Sequence, residues 1–84
     1  MAQLFTFNDL KEILVTRIGI PESKVVDDPN LAFSAIGLDS LALVDVQLAV
    51  QQQYGFTIPD EDVGHITTIG QAIDYTNRRL RERG

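Results

Sequence analysis

Apolar residues recur at spacings of three and four in separate stretches of this chain, and each stretch predicts a helix with one face turned inward. Phe7, Leu10, Ile13, Leu14 and Ile18 lay one stripe along a first helix of about residues 7–18. Thr6-Phe7-Asn8-Asp9 opens it as a capping box, with Asp9 in place of the usual Glu or Gln. Gly19 supplies a left-handed end and Pro21 confirms the stop.

From Gly19 to Asp39 the periodicity is lost. Asp27-Asp28-Pro29-Asn30 is turn chemistry, because Pro29 biases Asp28 away from helical angles. Connections this long tend to be functional. Val25, Val26, Leu31, Phe33, Ile36 and Leu38 are available to pin this one onto the core, and a short helical turn is expected around Leu31 to Ala35.

Gly37-Leu38-Asp39-Ser40-Leu41 leads into a second helix, Ser40 to Tyr54, with Asp and Ser both favoured as N-caps. Its apolar residues are too many for one stripe. Leu43, Val46, Val50 and Tyr54 form one set, and Leu41, Val44 and Leu48 form another that starts beside Ser40. Either both sets are buried in a bundle, or the second is an exposed apolar strip rimmed by acids, which is how a partner surface looks. Gly55 to Pro59 ends this helix. Asp60-Glu61-Asp62 with Val63 to Ile66 predicts a short acid-led helix, and Thr67-Thr68 restarts the chain into a last helix of about residues 69–81, lined by Ile69, Ala72, Ile73, Tyr75, Thr76 and Leu80. The expected fold is all-α, a small irregular bundle of three main helices plus one short one, in a single domain over residues 1–84.

Composition narrows what such a bundle can do. A hydrophobic fraction of 44% suits a folded domain, and without cysteine neither disulfides nor thiolate ligands can add to its modest core. No apolar run approaches the ~20 residues of a membrane span, and Met1 to Phe7 lack the basic and apolar regions of a signal peptide, so a cytoplasmic protein is expected. The net charge of −5 is uneven: residues 1–77 hold three basic residues against eleven acids, while residues 78–84 hold four arginines against one glutamate. The acidic body repels nucleic acid and attracts basic protein surfaces. Arg78, Arg79, Arg81 and Arg83 suit the C-terminal dipole of the last helix better than a nucleic-acid tail.

Little here builds an active site. His65 is the one histidine and reads as a helix-surface residue, and Gly37-x-x-Ser40 is not the elbow that presents a hydrolase nucleophile. Asp60-x-Asp62 fails as a calcium loop, since His65 and Gln71 occupy the positions that need Gly and Glu. One histidine without cysteine makes no structural zinc site. No catalytic or metal-binding residue is therefore assigned. A serine displayed on this scaffold is better suited to modification than to catalysis.

Asp39-Ser40-Leu41 before a partner-facing helix resembles the acyl carrier protein family. The resemblance takes in Phe33 to Leu41, the run into the family's modified serine, and Tyr54-Gly55-Phe56-Thr57-Ile58-Pro59-Asp60-Glu61, its exit from the second helix. It continues through Ile66-Thr67-Thr68-Ile69 and Ala72-Ile73-Asp74-Tyr75, with equivalent spacing from Leu31 onward. It implies a carrier, not an enzyme. In the family a separate magnesium-dependent transferase moves 4′-phosphopantetheine from coenzyme A to the serine, here Ser40, and the arm's thiol holds acyl groups as thioesters. A phosphodiester at a helix N-terminus meets favourable charge and free N–H groups.

By the same resemblance Leu41, Val44 and Leu48 are partner-facing apolar positions and Asp39 and Asp45 acidic recognition positions, with Asp60, Glu61 and Asp62 as a second acidic cluster. Val46, Ile58 and Ile69 are candidates to line an acyl cleft. Ala42 and Gln51-Gln52-Gln53 stand where fatty-acid carriers often have acids, which leaves room for a polyketide carrier. Leu38-Asp39 argues against a peptidyl carrier. The implied partners are a phosphopantetheinyl transferase, a ketosynthase, an acyltransferase and other synthase enzymes, met by a monomer. The rival reading is an acidic helical adaptor that docks a partner without a prosthetic group.

Overall fold

The computed structural model describes residues 4–83, the Arg83 side chain excepted; Met1 to Gln3, Gly84 and that fourth arginine side chain lie outside the described residues. Helix α1 (Phe7–Glu12) opens with the expected capping box, Thr6 accepting from the Asp9 N–H and Asp9 from the Thr6 N–H. It does not stay α-helical to residue 18. Ile13–Ile18 form a π-helical segment, and the N–H groups of Gly19 and Ile20 both reach back to the Leu14 carbonyl, each at 3.0 Å. The stripe survives this change because Leu10, Ile13 and Leu14 remain buried, and the π segment packs against the second helix.

Three more helices follow, α2 (Ser40–Tyr54), α3 (Asp60–Val63) and α4 (Ile69–Arg83). The short acid-led helix ends at Val63, so Gly64 and His65 form a turn and Ile66 follows it outside any helix, and His65 sits in that turn rather than on a helix. Helix α4 runs two residues beyond the expected end.

The long loop contains two 3₁₀ turns, Glu22–Lys24 and Phe33–Ile36, the second displaced two residues from the turn expected at Leu31. Val25 is buried, but Val26 is 54% exposed, contrary to its expected role as an anchor. The backbone at Val25 is extended, and successive side chains in extended backbone point to opposite sides. One of the two valines therefore has to face water.

What seats the loop is the start of α4. A helix leaves its first N–H groups without intrahelical partners. Here the Ile69 N–H donates to the Leu31 carbonyl and the Gly70 N–H to the Pro29 carbonyl, both at 3.0 Å, while the Gln71 N–H donates to the Thr68 hydroxyl at 3.2 Å. The Phe33 N–H adds a bond to the Thr67 carbonyl, beside an isolated bridge between Ala32 and Thr68. The approach is close: a Cβ on Gly70 would lie 2.7 Å from the Pro29 Cβ and 2.8 Å from its carbonyl oxygen.

Phe5, Leu10, Leu14 and Ile69 are the most deeply buried side chains. Phe5 lies outside every periodic stretch. Its place is fixed by Asn77, whose side chain accepts from the Phe5 N–H and donates to its carbonyl, and by an edge-on contact with Tyr54 at 5.4 Å. Within the arginine cluster, Arg78 and Arg79 lie over the Tyr75 ring and Arg79 over Phe56, so these two cations pack on aromatic faces as well as lying near the helix end.

Two outcomes are expected. Gly70→Ala forces a methyl group against a proline ring and a carbonyl, and such overpacking costs about 1–3 kcal/mol; a lowered midpoint in thermal circular dichroism checks it, and an unchanged midpoint would show that the loop yields freely. The second concerns alkaline pH. Burial pushes the pKa of Tyr54 above the ordinary tyrosine value, helped by the nearby Asp9 and Glu12 charges, and burial raises that of Tyr75, helped by its hydrogen bond to Asp62. The folded chain then holds these protons more tightly than the unfolded one. Their stabilisation is complete below about pH 10, the unfolded value, and is lost as pH rises through the raised folded values. Denaturant titrations from pH 9 upward should show stability falling above about pH 10, and less steeply in Tyr54→Phe.

Candidate functional site

Gly37 closes the 3₁₀ turn in the left-handed region, at φ 84°, and turns the chain toward α2. Leu38 is buried and Asp39 is extended, with its Oδ1 accepting from the Ala42 N–H at 2.9 Å. Asp39 is thus the N-cap, which leaves Ser40 as the first helical residue. Ser40 is exposed, and its hydroxyl forms no hydrogen bond with any described residue. No base among the described residues is hydrogen-bonded to it. Among the described residues, no three His, Asp or Glu side chains gather in an arrangement that could hold a metal ion.

Helix α2 separates its two apolar sets. Leu41, Val44 and Leu48 are 77%, 45% and 41% exposed, whereas Val46, Val50 and Tyr54 are buried and Leu43 is half-buried. Asp39 and Asp45 are exposed beside the outward strip, as are Asp60 and Glu61 on α3. Asp62 differs from these acids. It is half-buried and its Oδ2 accepts from the Tyr75 hydroxyl at 2.6 Å, so the fold already engages it.

An open groove begins at Ser40 and runs between α2 and α3, lined by Leu38, Leu43, Val44, Asp60 and Gly64 among others. Phe33, Leu43, Gln47, Val63 and Ile66 form a wall that this groove shares with an interior cleft of about 40 Å³. Val46 and Ile58 line this cleft. Ile69 does not, because the bonds between the α4 start and the loop hold it in solid core. An apolar pattern identifies buried residues but not which of them border empty space.

Sequence reasoning missed the glutamines. Gln47 is 7% exposed and donates to the Ile58 carbonyl at 2.7 Å and to Asp60 Oδ1 at 3.0 Å, while Gln51 accepts from the Ile58 N–H at 2.8 Å. Together they fasten the segment leading into α3 onto α2. The signal was present, since Gln47 is four residues after Leu43 and three before Val50, on the inward stripe.

The separation of faces has a direct test. Val44→Asp adds a charge at an exposed position and should change stability by less than about 0.5 kcal/mol. Val46→Asp, two positions on, puts a charge in the core and should cost on the order of 4 kcal/mol. Thermal circular dichroism of the two variants reads this, and equal losses would overturn the assignment of faces.

The geometry agrees with what the chain resembles among known proteins. The family described as "phosphopantetheine attachment site" matches residues 8–76. Among solved structures, the acetyl form of the actinorhodin acyl carrier protein from Streptomyces coelicolor is 35% identical, with all of both chains covered and a TM-score of 0.85. The 3-oxo-butyl form from the same polyketide synthase, described as an intermediate mimic, gives the same identity, coverage and TM-score, 35%, 100% and 0.85. The 3,5-dioxohexyl form, a triketide mimic, is again 35% identical over all of both chains, with a TM-score of 0.87. With the family's pattern matched over most of its length, the chain belongs to the acyl carrier proteins, carriers that bear a covalent phosphopantetheine and serve synthase enzymes.

Proposed function

We propose that Ser40 is the residue that receives 4′-phosphopantetheine and that this chain carries polyketide intermediates. The observation that carries the reading is the division of labour at the start of α2: Asp39 caps the helix, so the exposed Ser40 hydroxyl has no structural duty and stands at the mouth of a groove. The site suits the group. A phosphodiester on the first residue of a fifteen-residue helix meets the positive end of the helix dipole. The arm supplies a thiol that holds the acyl group as a thioester; the chain's own residues do the rest.

Those residues act in three ways. The loop–helix junction keeps the root of the arm in solvent. Leu41, Val44 and Leu48 offer apolar contact to partner enzymes, with Asp39, Asp45, Asp60 and Glu61 around them; Asp62 adds charge but stays bonded to Tyr75. Acids at the rim steer basic partners and raise encounter rates, while burial of the apolar trio governs how long a complex lasts. The groove and cleft, with Val46 and Ile58 in the lining, receive the acyl chain.

Since no side chain among the described residues is hydrogen-bonded to Ser40, installation of the arm falls to a separate phosphopantetheinyl transferase, and this chain has no catalytic role in it. A ketosynthase and an acyltransferase are the further partners, met by a cytoplasmic monomer whose residues 1–84 act as one domain. The polyketide cargo is favoured by the 35% identity to carriers bearing 3-oxo-butyl and 3,5-dioxohexyl groups.

Incubation with coenzyme A, magnesium and a broad-specificity transferase should add one phosphopantetheinyl group by intact mass, mapped to the peptide containing Ser40. Ser40→Ala should keep its helical circular dichroism and its original mass. Modification of that variant would move the site elsewhere, and an unmodified native chain would favour an adaptor without a prosthetic group.

A further inference from the structure

The wall between groove and cleft is apolar apart from Gln47, the one polar side chain that lines both. Its position, seven residues after Ser40, is about 10 Å further along the helix axis. Its two hydrogen bonds run to oxygen atoms, the Ile58 carbonyl and Asp60 Oδ1, and this fixes the amide: the reverse orientation would set three oxygens against one another. Both N–H groups are thereby occupied. The carbonyl Oε1 accepts no hydrogen bond from a described residue, and since no fully buried side-chain oxygen lacks a partner among these residues, it keeps contact with solvent on a residue that lines both spaces. The other polar groups of the cleft are differently placed. The Tyr75 hydroxyl is engaged by Asp62 and Arg79, and Thr76 lines the cleft but not the groove.

An acceptor without a donor, set in an apolar passage, ranks the chains that enter. A saturated chain leaves Oε1 dehydrated and unpaired, which is unfavourable. A ketone brings only further acceptor lone pairs. A hydroxyl or an enol brings the missing donor. We propose that Gln47 makes this passage selective for acyl chains that carry a hydroxyl or enol group over saturated chains of the same length. This rests on the carrier reading above and adds to it the class of cargo that the interior favours.

The experiment compares hexanoyl and 3-hydroxyhexanoyl groups loaded on the phosphopantetheinylated protein. Shielding is the rate of thioester cleavage by hydroxylamine relative to the same acyl group on free pantetheine, which removes intrinsic differences in reactivity. The hydroxylated chain should be shielded about fivefold more than the saturated one, the ratio set by a net hydrogen bond of about 1 kcal/mol. The side-chain amide resonance of Gln47 should move with the hydroxylated cargo alone. Gln47→Met, similar in volume, should bring the ratio to one while still shielding the hexanoyl group. Gln51→Ala loosens the same α3 segment but leaves Oε1 in place, and should retain the ratio. Equal shielding of both cargoes in the native chain would overturn the role of Gln47 and leave the carrier reading intact. An equal loss for both in Gln47→Met would do the same, by assigning Gln47 to the arm or to the wall. If neither cargo is shielded in the native chain, the cleft takes no acyl chain and the underlying reading of the interior fails.

Discussion

The free N–H groups at the start of α4 are the constraint that organises this small domain. They donate to the carbonyls of Leu31 and Pro29, and so hold a loop of some twenty residues that has no regular structure of its own along most of its length. The consequence reaches the functional end of the molecule. With Leu31 and Phe33 tied to the α4 junction, the 3₁₀ turn at Phe33–Ile36 is seated in the core, and Gly37 then delivers Asp39 and Ser40 to the surface in a defined direction. The serine is presented by a loop whose other end is bonded to the start of a helix elsewhere in the bundle.

The segment between α2 and α4 is held by a different kind of contact. Helix α3 is only four residues long and has few apolar side chains to bury. Beside the packing of Ile58, Val63 and Ile66, this segment is attached by polar contacts through Gln47, Gln51 and the Tyr75–Asp62 pair. Hydrogen bonds among side chains are each worth about 0.5–1.5 kcal/mol net, so this wall is more easily displaced than the helix packing opposite it. A wall of that kind suits a cleft whose volume in this structure is only about 40 Å³ and which would have to enlarge to take the acyl chain proposed for it. The rest of the cleft is walled by buried side chains of the main helices, among them Leu10, Val46, Val50 and Ala72.

Electrostatics divide along the same lines. Acids gather on the α2 and α3 surface around Ser40, while Arg78 and Arg79 of α4 pack against Tyr75 and Phe56. The acidic face around Ser40 is thus set apart from Arg78 and Arg79 on α4, which add to packing as well as to charge balance.

Much of this was written in the sequence because it depends on local order. Capping chemistry at Thr6 and Asp39, the 3.6-residue period and the glycine stops place the helices within a few residues, and the outward set Leu41, Val44 and Leu48 is a matter of helical phase. The run through Asp39-Ser40-Leu41 identified the family, since its motifs are contiguous in the chain. The tertiary structure alone decided the rest. That Val26 faces water while Val25 is buried, that Ile69 fills core while Val46 borders space, and that Phe5 is clasped by a residue 72 positions away all depend on which segments meet. So does the role of Gln47: the period gives its inward direction, but only the proximity of Ile58 and Asp60 determines that its nitrogen is occupied and its oxygen is left for something else.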